Sequence, residues 1–409
     1  MRLGAVRSAI LPSSRKSWAT VLLLSNLISW GYLVTALINQ IYSGFGATYE
    51  RTLGTMALYY LANFISALLS SSVAAEVRRS RKVLGCTVFA GGVLLLPTIF
   101  YEALTIELMA LISFLSGVSL GSVLPSCLAF FSENTRIDER GRTAAVILFI
   151  TYVLYFCLAV TIQLLSTRHA LALCALWRFL GLVPILYLPN RILNETRVQP
   201  SCKSILSDKT FIVYIVPWIV FLLVDATAQP LIMYSDLGEG LYYVMAQTEM
   251  LVGGVFTLLG GLLLDFIGRK KMIIWAFAVM GVGYALLSFS YRMPYVWVFY
   301  SVLDGSAWST LTLVFTIVLW GDLSKAKGSE KYYALGLSPI FMAGVFRVLL
   351  EPLTRNLSLE NAFSFASFFL FLAVLPLAYA EESLPESVMR LREIEKYIRK
   401  VREAGRKYG

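Results

Sequence analysis

At 409 residues, with 58% hydrophobic and 15% charged side chains, the chain lies far from a soluble domain, in which about 25% of residues carry charge. Its net charge of +10 does not mark a nucleic-acid binder, because the basic residues fall in gaps between apolar runs. One histidine, His169, and five cysteines without paired spacing leave no metal site, no disulfide framework and no expected cofactor.

A hydrocarbon core ~30 Å thick is crossed by a helix of ~20 apolar residues, and runs of that length recur along almost the whole sequence. They predict helices at 17–41, 54–75, 83–103, 106–131, 143–166 and 170–189. A second set follows at 211–235, 241–264, 272–290, 294–320, 333–355 and 360–380. The first run has a basic flank (Arg2, Arg7, Arg15, Lys16) but exceeds a signal-peptide core in length and lacks a cleavage site, so it reads as helix one. Lysine and arginine in alternate loops total 29 on one side and 4 on the other, the four being Arg51, Arg168, Arg292 and Arg355. The positive-inside rule then places both termini in the cytoplasm and makes the helix count even. The expected fold is all-α: a polytopic cell-membrane protein with twelve transmembrane helices in two pseudo-symmetric six-helix bundles.

The longest interior polar link, 190–210, falls at the midpoint. It divides a first bundle (1–189) from a second (211–382), with a tail at 383–409. In that tail Leu391, Ile394, Ile398 and Val401 recur at helical spacing among arginines and lysines. Such a helix lies on an anionic leaflet or stands solvated.

The most informative stretch joins helices eight and nine: Gly260-Gly261-Leu262-Leu263-Leu264-Asp265-Phe266-Ile267-Gly268-Arg269-Lys270-Lys271. Small residues there let helices approach closely. Asp265 is suited to cap a neighbouring helix end or to pair with a basic residue. In the first half Ser72, Glu76, Arg79 and Arg81-Lys82 occupy the same position. After helix four, Glu133 is followed seven residues later by Arg140-Gly141; Asp322 through Lys331 answers it after helix ten. Segments 260–271 and 132–142 closely resemble the signature loops of the major facilitator superfamily, with Phe266 where that family usually carries a basic residue. The resemblance implies a monomeric secondary transporter with its substrate site at the midplane between halves. It also implies that Gly261, Asp265, Gly268, Arg269, Lys270, Glu133 and Arg140 act as conformational loop residues.

Ionisable residues inside apolar helices are costly, so each is a functional candidate. Arg178, Asp225, Glu249, Asp304 and Arg347 qualify. At ~1.5 Å per residue all five lie roughly 12–15 Å below the outer ends of their helices. By resemblance, helices one, four, seven and ten line the cavity. That makes Asp225 and Asp304, assisted by Glu249 and Arg347, the expected coupling site, with Arg178 peripheral. A carboxylate held from water without a counter-charge favours its protonated form, as a proton carrier requires. The competing reading is a structural network in which Arg347 neutralises an acid. Softer cavity candidates are Asn26 and Trp30, which share a face of helix one, with Tyr155, Gln163, Gln229 and Trp308. Pro230 removes a backbone donor and should bend helix seven.

Helix five has no glycine or proline, and helix four no buried arginine. Both features typify the family's drug exporters, and their absence demotes that reading. The sequence therefore points to a non-enzymatic secondary transporter of a small organic solute, coupled to protons. A non-transporting sensor or scaffold of the same topology is the alternative.

Overall fold

The computed structural model describes residues 15–46, 48–73, 80–188, 200–233, 239–324, 329–354 and 357–384. Glu76 and Arg79, residues 190–199 of the link, and the tail from 385 lie outside the described residues, as do the side chains of Gln229 and Pro230. Among the described residues twelve helices are long and apolar enough to cross a membrane. We label them α1 (Arg15–Gly44), α2 (Tyr49–Ser72), α3 (Arg81–Ala103), α4 (Ile106–Asn134), α5 (Arg140–Leu164) and α6 (Thr167–Tyr187). The second set is α7 (Lys209–Met233), α8 (Glu239–Ile267), α9 (Arg269–Ser290), α10 (Pro294–Leu323), α11 (Ser329–Leu350) and α12 (Leu359–Ala378).

The starts of α2, α4 and α12 carry side-chain caps, which satisfy backbone N–H groups that have no intrahelical partner. Thr48, Thr105 and Ser358 accept from the backbone of Arg51, Leu108 and Asn361 at 3.3–3.4 Å. Four helices depart from the continuous runs expected. Pro97 ends the α-helical part of α3 at Leu95, and the rest is a tighter 3-10 turn. α6 breaks at Gly181 and α11 at Leu337, two residues before Pro339. α10 widens into a π-helix at Leu313–Val318. A wider turn frees carbonyls; the Tyr333 hydroxyl donates to Ile317 O at 2.6 Å, and the Trp320 indole donates to Phe315 O.

The packing repeats with a shift of six helices. α1 packs on α5 and α6, α2 on α4, and α3 on α6; the counterparts are α7 on α11 and α12, α8 on α10, and α9 on α12. Across the halves α5 packs on α8 and α2 on α11, a pair that exchanges with itself under the same shift. Two pseudo-symmetric bundles therefore face each other through α2, α5, α8 and α11. Small residues permit the approach. A methyl group at Gly344 would strike the Tyr60 ring, and one at Gly261 would strike Ala145 and the Gly141 carbonyl. The outward surface is apolar, with Phe289 89%, Leu164 82% and Leu69 67% exposed, as suits a surface against lipid tails.

Candidate functional site

One end of the bundle is tied across the halves by charge. Asp265, near the end of α8, accepts the backbone N–H groups of Gly141 and Arg142 at 3.0 and 2.9 Å. It thereby caps α5, which starts at Arg140 and not at residue 143, because the cap supplies acceptors for its first turn. The same carboxylate pairs with Arg142 at 3.3 Å and Arg269 at 3.2 Å. Gly141 lies so close to Asp265 Oδ1 and the Gly261 carbonyl that any side chain would displace one of them.

Asp322, at the end of α10, is the second acid of this network. Its carboxylate has no exposed surface and binds two arginines, Arg140 from the first half and Arg269 at 3.0 Å from the second. Arg269 also donates to Leu264 O at 2.8 Å and to Ile137 O at 2.7 Å. Glu133 accepts from Ser329 Oγ at 3.0 Å, tying α4 to the start of α11. Glu382 caps α9, accepting from the Arg269 and Lys270 backbone N–H groups at 2.8 and 3.1 Å. Gly268 between these elements has φ 108°, a conformation that side-chain-bearing residues avoid. The Lys270 ammonium donates to Ala378 O at 2.8 Å.

Farther along the interface lies a cavity of about 250 Å³ bounded by α1, α5, α7, α8, α9 and α10. Asp225, Glu249 and Asp304 all line it. Asp304 is 8% exposed and accepts from the Tyr300 hydroxyl at 3.2 Å. Glu249 lies within Coulombic range of both aspartates, and Asp225 within range of Arg347. α8 and α10 touch backbone to backbone here, since a methyl group on Gly305 would lie 2.6 Å from Glu249 O. The remaining wall is largely aromatic: Tyr32, Tyr152, Tyr155, Tyr284, Tyr300 and Trp308. Tyr32 is shared with a smaller, apolar cavity of about 100 Å³ bounded by α1, α2, α4, α5, α10 and α11. The π-helix of α10 lies between Trp308 at the larger cavity and Asp322 in the charged network.

No protein-family model matches the chain, and no curated protein matches it in sequence. Solved structures do match in shape. The proton:xylose symporter XylE bound to 6-bromo-6-deoxy-D-glucose superposes with TM-score 0.68 at 13% identity, over 90% of this chain and 96% of that one. The major facilitator superfamily transporter FucP in its outward conformation gives 0.66 at 13% identity, over 89% and 98%. A variant of the E. coli fucose:proton symporter FucP gives 0.65 at 13% identity, over 89% and 98%. The chain has the major facilitator superfamily fold. It is a multi-pass membrane protein, and its nearly full-length coverage of these transporters extends to both six-helix halves.

Within the facilitator fold the predicted residues separate into three groups. Gly261, Asp265, Gly268, Arg269, Lys270, Glu133 and Arg140 converge at the charged end. Glu133 and Arg140 sit inside helices there and not in a loop. Asp225, Glu249, Asp304, Tyr155 and Trp308 converge on the larger cavity. Arg347 is not among its lining residues but lies within Coulombic range of Asp225 and Tyr60.

The third group is directed elsewhere. Asn26 and Trp30 do share a face, but it is turned to α6: Asn26 donates to Trp177 O at 2.6 Å, and the Arg178 guanidinium lies 4.2 Å over the Trp30 ring. Gln163 is exposed at the far end of α5. Arg178 is wholly buried in the first half, donating to Ser119 Oγ at 2.9 Å. Sequence reasoning did not single out Asp322 or Glu382 as network members. The signal available for Asp322 was its position, equivalent to Glu133 in the internal repeat.

Proposed function

We propose that the chain is a secondary active transporter that moves a small organic solute by alternating access, coupled to protons through the acids of the larger cavity. The reading rests on one observation above the others. Three carboxylates face a single cavity at the interface of two bundles whose charged ends are locked together. Buried charge in a membrane helix is costly, and a cavity that exposes it to a ligand and to protons gives that cost a use. The lock at the charged end closes the path on that side, so the state described is the one sealed there. The positive-inside count makes the sealed side cytoplasmic, with both termini on it. A reporter fused after Gly409 is expected to be active only inside the cell; activity only outside would overturn this topology.

The proton:sugar symporters of matching shape make symport the working assignment. Uptake of radiolabelled compound pools into proteoliposomes, with and without a pH gradient, tests it. Gradient-dependent accumulation of some pool member is expected, and its absence across a broad pool would refute the reading.

The charged end governs the equilibrium between states and makes no contact with the solute. Asp265→Asn weakens charge-assisted bonds worth roughly 1.5–3 kcal/mol each, a shift of about 10- to 150-fold in the closed-to-open ratio. Gly268→Val forces a side chain into a positive-φ position beside Glu382. Both variants are expected to lower turnover while leaving solute affinity within about twofold of wild type. Normal turnover in either would detach the motif from transport.

A further inference from the structure

We propose that the solute is a small organic cation carrying an aromatic or comparably flat apolar group. This rests on reading the 250 Å³ cavity as the solute site, and it concerns what that site selects. Asp225, Glu249 and Asp304 line the cavity, and no described lining residue is basic. Asp304 is the decisive member. It is 8% exposed, its carboxylate borders the cavity, and it has one hydrogen bond, from a neutral tyrosine hydroxyl, with no ion pair among the described residues. A carboxylate buried against a ligand space without counter-charge is stabilised by an occupant that brings one.

The rest of the wall specifies the body of that occupant. Tyr32, Tyr152, Tyr155, Tyr284 and Trp308 bring aromatic rings to the wall, and Met245 and Met250 bring polarisable thioethers. A cation within about 6 Å of a ring face is attracted by the ring quadrupole. The protein already uses that contact internally, where the Arg178 guanidinium lies 4.2 Å over Trp30. A neutral polyol is recognised by groups that both donate and accept. Among the described lining residues there is no asparagine, glutamine, serine or threonine, which leaves that role to the tyrosine hydroxyls, one of them already engaged with Asp304. An anion would meet three carboxyl groups and no basic group among the described lining residues. At about 250 Å³ the cavity falls below the ~300–1,000 Å³ of drug-sized sites, which fits a single-ring amine.

The test is equilibrium binding to the purified full-length protein by calorimetry, with a matched series: phenethylamine, phenethyl alcohol, hydrocinnamate and xylose. The amine is expected to bind at least tenfold more tightly than the alcohol and the sugar, and the anion not at all. Asp304→Asn should weaken amine binding at least tenfold, whereas Phe289→Leu, on the outward apolar surface, should leave it unchanged. Equal or tighter binding of the alcohol or xylose, or no binding of the amine, overturns the proposal. The wild-type series decides the matter even if the Asp304 variant fails to fold. Binding requires no flux, so the two readings fail separately. An amine that binds but never crosses a reconstituted membrane refutes transport, whereas gradient-driven uptake of a neutral solute refutes cation selection.

Discussion

Changing Asp304 to asparagine is expected to abolish pH-driven accumulation while solute exchange across the membrane survives. Asparagine nearly preserves the side-chain volume and still accepts from the Tyr300 hydroxyl, now 3.2 Å from Asp304 Oδ1, so the close crossing of α8 and α10 at Gly305 is kept. What it loses is titration. With one proton coupled to each solute, a gradient of one pH unit sustains about tenfold accumulation, or ~1.4 kcal/mol. The variant should hold the ratio at one under any gradient. Counterflow of labelled against unlabelled solute should persist once solute is raised to offset weaker binding, because it needs binding and the movement of the halves but no proton. Asp225→Asn gives a sharper division of roles, since Asp225 is within Coulombic range of Arg347. If Asp225 carries the proton, it repeats the Asp304 result. If it is Arg347's structural partner, the variant should lose ~3–5 kcal/mol of stability. Replacing both members by apolar residues should then restore the fold. Unchanged accumulation in both aspartate variants would remove the cavity acids from the coupling.

Asp322→Ala should have the largest effect on stability. Asp322 lies with no exposed side-chain surface between Arg140 and Arg269, whose side chains are 6% and 0% exposed. Removing it leaves two buried guanidiniums facing each other, with Arg269 keeping its pair to Asp265 and Arg140 losing its acid, at a cost of roughly 3–5 kcal/mol by analogy with broken buried pairs. The penalty falls on the state sealed at this end. Thermal unfolding in detergent should therefore shift markedly downward, and any folded protein should populate the state open at this end. Apolar replacement of Arg140, Arg269 and Asp322 together should recover the unfolding midpoint but not turnover. A wild-type midpoint for Asp322→Ala would show that the two arginines are satisfied without it.

Much of this architecture is legible in the chain because membranes impose simple rules. Apolar runs of spanning length and the asymmetry of basic loops fix helix number, and the Gly261–Lys271 stretch marks the close crossing. Helix interruptions were harder to see. Pro97 could have warned of the break in α3, but the π-turn at Leu313–Val318 has no local signature and is held by Tyr333 and Trp320. Charge position was legible too, since Asp225, Glu249 and Asp304 do meet at one cavity. Facing was not. The four-residue spacing of Asn26 and Trp30 establishes that they share a face, and nothing local says that this face meets α6. Asp322 and Arg140 are 182 residues apart, and their pairing emerges only when the halves dock.

The central claim, that two halves seal and unseal one end around a fixed cavity, is tested most directly by an inter-half distance at that end. In a variant with its five cysteines replaced, spin labels at Arg136 and Lys271 would report it from exposed positions on opposite halves. The account predicts two populations, a short distance for the sealed state and a longer one, with Asp322→Asn shifting weight to the longer. A single distance, unmoved by that substitution, would contradict it.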